Sequence, residues 1–206
     1  MVLIGYSGHA YVVCGILTAA GKSIDGYCDL EEKQYNPFNL SYLGKENTDK
    51  AKEQMKQSGV FIAVGDNRIR KKIYDDISVH CLPANAIHPA AIIDASVIIK
   101  GQGIMIAAGV CINPLAEINE GAICNTTCII EHQCIIGAFA HIGPGAILCG
   151  NVNIGKGAFV GAGAVVRQNI NIGANAVIGA GAVVIKDVME NEVVIGNPSR
   201  KLINSK

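Results

Sequence analysis

Two histidines in the second half of the chain stand where acid–base chemistry is conceivable. His132 lies in Ile130-Glu131-His132-Gln133, and His141 closes Ile136-Gly137-Ala138-Phe139-Ala140-His141. Imidazole is the side chain best suited to taking a proton near neutral pH. Neither histidine occupies the aliphatic slots that recur around it, Ile130, Ile136 and Ile142, so both are expected to project outward. An outward histidine is by default a solvated or interface residue; it becomes a base only where a substrate is brought to it. Zinc is the rival chemistry, and in such a repeat it needs a third histidine at matching phase. His88 is several repeats away across a break in register, so no metal is expected.

A second group of candidates surrounds Gly5-Tyr6-Ser7-Gly8-His9, which follows the strand-like Val2-Leu3-Ile4 and precedes a helical pattern from Ala10 to Ala20. Gly5 and Gly8 let the backbone approach a ligand, and a helix N-terminus offers free N–H groups to an anion. This is the usual cradle of a nucleotide diphosphate. The run is not a full GxGxxG, and a tight turn alone also wants glycine. Asp29, at the end of a second strand, is placed either to reach a nucleoside hydroxyl or base, or to serve as a plain turn residue. Gly65-Asp66 closes a third strand, Val60 to Val64, on the same sheet edge.

What must position the histidines is a repeat. Ile136-Gly137, Ile142-Gly143, Ile154-Gly155, Val160-Gly161, Ile172-Gly173 and Ile178-Gly179 are spaced by six residues or a multiple of six, and Ile130, Ile118, Ile112 and Ile106 extend the series backward. One extra residue between Ile99 and Met105 breaks the grid. A fixed short period of this kind is the signature of a hexapeptide β-helix. One aliphatic residue in six points inward, small residues make the corners, and no coil can bury its apolar face without a neighbour. Upstream, strands are expected at Val2–Tyr6, Ile24–Cys28, Val60–Val64 and Val79–Leu82, with helices at Asp49–Gln57 and Arg68–Ile77, the last presenting Ile69, Ile73, Tyr74 and Ile77 on one face. Strands alternating with helices imply right-handed βαβ units and a parallel sheet. The fold class expected is therefore an α/β N-terminal domain with a small Rossmann-like parallel sheet over residues 1–85, followed by a left-handed parallel β-helix over residues 86–206.

Composition narrows the function. Half of the residues are apolar, and the 24 glycines keep step with the aliphatics instead of forming a linker. Lys plus Arg equals Asp plus Glu, 17 each, so the basic excess of a nucleic-acid binder is missing. No apolar run reaches transmembrane length, and Val2-Leu3-Ile4-Gly5 carries no basic leader, so neither a membrane span nor export is expected. The eight cysteines contain no CxxC pair, and several stand where Ile or Val stands in other repeats. They read as reduced core thiols in a cytoplasmic protein.

The segment Asn125-Thr126-Thr127-Cys128-Ile129-Ile130-Glu131-His132-Gln133-Cys134-Ile135-Ile136-Gly137, with His141, Pro144-Gly145-Ala146 and Gly196-Asn197-Pro198, resembles the bacterial nucleotide-amino-sugar N-acetyltransferases and the related sialic acid O-acetyltransferase-like proteins. The resemblance covers nearly the whole chain; Gly5-Tyr6-Ser7-Gly8-His9 and Gly65-Asp66-Asn67-Arg68-Ile69-Arg70 fall in the family's nucleotide-binding domain. It implies a homotrimer with active sites between neighbouring β-helices, acetyl-CoA as acetyl donor lying along the coils, and a nucleotide sugar, UDP-linked by first expectation, on the small domain. It implies His132 as the general base toward the sugar 4-amine and His141 near the acetyl end of the coenzyme. The backbone around Ala162 and Ala180 would receive the pantetheine arm, and Asn125 and His9 would lie near sugar and diphosphate. The chain departs from the family at Gln133, where Asp or Glu is usual. A glutamine oxygen can still hold the ring N–H but adds no negative charge to the base. Two other readings stay open: O-acetylation of a sialic acid, and a non-catalytic nucleotide-binding trimeric scaffold, for which Gln133 is the only feature.

Overall fold

The computed structural model describes residues 1–202. Its N-terminal part is a four-stranded parallel sheet built from β1 (Val2–Ile4), β2 (Gly26–Cys28), β3 (Ser41–Tyr42) and β4 (Val60–Ile62), in the order β3-β2-β1-β4. Both faces of β1, β2 and β4 are buried, which is why they read as unbroken apolar runs. Helix α1 (Gly8–Ala19) covers one face; α2 (Asp49–Ser58) and α3 (Asn67–Ser78) cover the other. The Thr48 hydroxyl caps α2 by accepting from Ala51 N, and Asp66 caps α3 by accepting from Arg68 N and Ile69 N.

Two expectations are corrected here. Val79–Leu82 is not a strand: His80 and Cys81 N–H bend back to Ile77 O, and Val79 and Leu82 are exposed. The fourth strand comes instead from Ser41–Tyr42, too short to show a pattern. On α3, Ile77 is buried and Ile73 and Tyr74 are half-buried, but Ile69 is 53% exposed. The inward position on that turn is taken by Arg70.

From Ala86 onward, two-residue strands wind into a three-sided left-handed parallel β-helix. The first side runs from Ala86–Ile87 through Met105–Ile106, Ile123–Cys124, His141–Ile142, Phe159–Val160 and Val177–Ile178, closing with Val193–Ile195 and antiparallel Arg200–Lys201. The second side holds Ile92–Ile93, Cys111–Ile112, Ile129–Ile130, Ile147–Leu148, Val165–Val166 and Val183–Val184. The third holds Ile98–Ile99, Glu117–Ile118, Ile135–Ile136, Asn153–Ile154 and Asn171–Ile172. The second residue of each pair points inward: Ile106, Cys124, Ile142, Val160 and Ile178 stack in one column, all fully buried. Where a glycine follows the inward aliphatic, as at Gly137, Gly143, Gly155 and Gly161, it lies under the next coil. A Cβ on Gly143 would come within 2.7 Å of Val160 O and 2.8 Å of Ala162 N, so no larger residue fits. The extra residue near Ile99 is absorbed by Gly101 and Gly103, both at positive φ.

One corner residue in six also has positive φ. Most are Gly or Asn, but Leu115, Thr127, Gln133 and Phe139 are not, and the left-handed region costs such side chains free energy. These strained corners cluster in the coils around His132. The apolar interior of the coils is continuous with the contacts of α1, so the small domain is docked onto the first side of the helix by α1 and α3. All eight cysteines are unpaired thiols. Among the described residues no helix is long and apolar enough to cross a membrane.

Candidate functional site

His132 occupies the corner between the second and third sides and is exposed in the single chain. Its Nδ1 lies 3.2 Å from Gln133 Oε1. An amide oxygen only accepts, so Nδ1 is the donor, and the neutral ring in this tautomer has its lone pair on Nε2. The left-handed backbone at Gln133, φ 59°, turns the amide back onto the ring. Below the ring lies Gly150: a Cβ there would collide with Nε2. A groove of about 440 Å³ opens here, walled by Glu131, Cys149, Asn151 and Gln168. Glu131 shares the groove, but the ring is held by Gln133. Gly150→Ala is therefore expected to displace the imidazole rather than unfold a coil. Its thermal midpoint should stay near the parent's while any His132-dependent rate falls by at least about tenfold, since a misplaced base loses its geometry.

His141 projects from the first side, as expected, yet only 7% of it is exposed, because the small domain covers it. Asn125 Nδ2 donates to its Nε2 at 3.1 Å, so Nδ1 holds the proton and faces Gly65 O at 3.3 Å. Both ring nitrogens are thus committed, and the ring ties the Gly65 loop to the coil. His9 packs on Gly65, with its ring centre 6.1 Å from that of His141. The His9 Nε2 is buried and has no hydrogen-bond partner among the described residues. Burial, and secondarily the Arg70 charge, lowers both histidines to about 4 from the usual 6.5; the neighbouring His9 adds to the effect on His141. The unfolded chain takes up protons below pH 6.5 that the folded chain refuses. Stability present above pH 6.5 is therefore lost as the pH falls toward 4, by up to about 3 kcal/mol for His141 and less for the partly exposed His9. Urea midpoints between pH 7.5 and 4.5 measure this, and His141→Gln should flatten the slope.

Gly5, Ser7, Asp29, Gly65 and Asp66 line one crevice of about 600 Å³ at the carboxyl ends of the parallel strands. Asp29 Oδ2 accepts from Tyr6 N at 2.9 Å, and Oδ1 accepts from Leu30 N at 2.7 Å and pairs with Lys33 at 3.3 Å. Asp66 is the cap of α3. Ser7 precedes α1 but its side chain makes no cap bond. Gly8 starts α1, and nothing lies within 4 Å of the position its Cβ would occupy. A second groove, about 540 Å³, joins Gly65 and Asp66 to His141 and Phe159.

Sequence reading missed Arg70. Its guanidinium is 1% exposed and all five N–H groups are satisfied. Nε donates to Gly121 O, Nη1 to Val64 O and Gly65 O, and Nη2 to Asn67 Oδ1 and Phe139 O, at 2.8–3.2 Å. Two of those acceptors belong to the coil and three to the Val64–Asn67 loop that lines both grooves. Burial lowers its pKa to about 10, which still leaves it charged at neutral pH. Tyr74 stacks edge-on against Phe139 at 5.2 Å, which explains the strained corner there. The only signal in sequence was an arginine on an apolar helical stripe.

Ala162 and Ala180 lie exposed at the corner between the first and second sides. Gly163 N donates to Pro144 O and Gly181 N to Ala162 O, while the Ala162 and Ala180 N–H groups pair with no backbone carbonyl among the described residues. The candidates thus form three groups in one chain. The crevice and the His9–His141–Asn125 seam share Gly65. The Ala162–Ala180 corner and the His132–Gln133 corner stand apart, on opposite edges of the second side. Among the described residues no cluster of three His, Cys, Asp or Glu could hold a metal ion.

Residues 1–77 match the PglD N-terminal domain, and residues 133–168 and 151–186 match the bacterial transferase hexapeptide repeat. Over 98% of its length the chain is similar to PerB of Caulobacter crescentus, a perosamine N-acetyltransferase solved with CoA and GDP-perosamine, at 35% identity, 96% coverage of that chain and a TM-score of 0.89. The chain belongs to the hexapeptide-repeat sugar N-acetyltransferases. This acyltransferase is also similar to the acetyltransferase domain of PglB from Neisseria gonorrhoeae FA1090, solved with acetyl coenzyme A: 31% identity, 98% of both chains, TM-score 0.85. WeeI of Acinetobacter baumannii AYE shares the fold at 23% identity, 98% of both chains and a TM-score of 0.84.

Proposed function

We propose that this acyltransferase moves the acetyl group of acetyl-CoA to the 4-amine of a nucleotide-linked amino-deoxy sugar, with His132 as general base. The observation that carries the reading is the His132 ring, held by Gln133 3.2 Å from Nδ1 at the mouth of the groove beside Gly150. In the step envisaged, the neutral amine attacks the thioester carbonyl and Nε2 takes its proton. The tetrahedral intermediate then collapses, the C–S bond breaks, and the coenzyme leaves as a thiolate that the imidazolium can reprotonate. The partner of the ring is a neutral amide, so the imidazolium gains no full counter-charge. That suits an amine, which needs little activation, better than the hydroxyl of a sialic acid.

A homotrimer completes the site in this reading. The outward residues of the second side, Ile92, Cys111, Ile129, Ile147, Val165 and Val183, form an apolar ladder that the small domain does not cover. Leu115, 60% exposed at the His132 corner, extends it. A neighbour packed on this ladder would bring the His132 edge of one subunit to the Ala162–Ala180 corner and small domain of the next. The free N–H groups at Ala162 and Ala180 would donate to the pantetheine amide oxygens. Eight unpaired thiols support a reducing, cytoplasmic setting. On the nucleotide, the family resemblance puts UDP first, whereas PerB is a GDP-perosamine enzyme. The test is incubation with acetyl-CoA and a panel of UDP- and GDP-linked 4-amino sugars, CMP-sialic acid and free sialic acid, read by thiol release and product mass. Acetylation of a nucleotide-linked amine is expected; turnover of the sialic acids alone, or of nothing, would refute the reading.

A further inference from the structure

The crevice at the carboxyl ends of the parallel strands has features that phosphate binding leaves unused. Leu30 is 75% exposed and Ile69 is 53% exposed, and both line it. Ile69 belongs to the stripe of α3 that should have faced inward. Two bared aliphatics in a cleft of mixed lining suit a flat, partly apolar group between them. Asp29 N donates to Gly44 O at 3.2 Å, which fastens the Gly44–Glu46 loop beside Leu30. Glu46 is half-buried at this end of the crevice, and among the described residues its carboxylate has no ion-pair or hydrogen-bond partner. Asp29 differs, since both its oxygens already accept from backbone.

We infer that this end of the crevice is a guanine slot, with Leu30 and Ile69 clasping the base and Glu46 reading its edge. The inference rests on the small domain being the nucleotide-sugar site. A free carboxylate presents two acceptor oxygens side by side. Guanine is the common base that answers with two adjacent donors, N1–H and N2–H. Uracil offers one N–H flanked by carbonyls, which would face the second oxygen unfavourably. Cytosine and adenine each place an acceptor beside their single amino donor. Selectivity then comes from repulsion of the wrong edge as much as from attraction of the right one.

Calorimetric titration of the full chain with GDP, UDP, CDP and ADP tests this. GDP should bind at least about tenfold tighter than the others, and Glu46→Gln should bring GDP to within about threefold of UDP, because a charge-assisted pair is lost and an amide N–H meets guanine N–H. Leu30→Ser with Ile69→Ser should weaken GDP on the order of tenfold or more, as removal of apolar contacts in a pocket does. UDP binding as tightly as GDP, a preference that survives Glu46→Gln, a double variant that changes assembly but not GDP affinity, or no binding by any of the four would each overturn it. The free diphosphates carry no amine, so the titration is independent of acetyl transfer. A GDP-selective crevice in a chain that acetylates no amino sugar sinks the catalytic reading alone. Transfer to a UDP-sugar with UDP preferred sinks this one alone.

Discussion

His132→Ala is expected to lower the turnover of acetyl transfer by roughly 100- to 10,000-fold, the usual contribution of one positioned general base. The nucleotide sugar should bind as before, because the crevice of the small domain and the His132 corner are separate in a single chain. A fall in affinity with turnover preserved would mean that His132 is a binding residue. The companion variant Gln133→Glu acts in the opposite sense. A carboxylate in place of the amide oxygen 3.2 Å from Nδ1 stabilises the imidazolium, so the rate should rise and the lower limb of its pH profile should move. Together the two variants separate the proton-taking role of the ring from its orientation by residue 133.

The second large effect concerns stability. Arg70→Met removes a buried cation from five acceptors drawn from both parts of the chain. Each carbonyl left dry costs roughly 1–3 kcal/mol, so even with water repairing some of them a loss of about 4 kcal/mol or more is expected. Urea unfolding should show the small domain releasing from the coils, with the His132 corner intact. Arg70→Lys should recover only part, because an ammonium offers three donors and no planar fork. If Arg70→Met unfolds at the parent's midpoint, the guanidinium does not join the two parts. Because Val64, Gly65 and Asn67 are among its acceptors, the same change should also loosen the loop shared by both grooves.

The coils were legible because each carries its own record. An inward aliphatic residue and a left-handed corner recur every six residues, often with a stacked glycine between them, and each follows from local sterics and from burial against a similar neighbour. Gly5, Ser7, Asp29, Gly65 and Asp66 were placed in one crevice for a similar reason: the ends of adjacent parallel strands fall on one sheet edge. That a glutamine oxygen at 133 could reach the ring was readable from adjacency, but that Gln133 and not Glu131 holds Nδ1 was not. The misplaced fourth strand failed because two residues, Ser41 and Tyr42, carry no period at all.

What the residues determined by themselves was the stacked prism, the parallel sheet before it, and the outward setting of His132 and His141. What only the tertiary structure decided was the different surroundings of those two rings. His132 stays open at a corner, while His141 is shut beneath the small domain with both nitrogens taken. The same docking left Arg70 inward, on the stripe of Ile73, Tyr74 and Ile77, and Ile69 outward, against the apolar pattern of α3. The reason is distance along the chain: Arg70 meets acceptors 51 and 69 residues away and His141 meets one 76 away, and no periodicity within a helix or a coil can encode such partners.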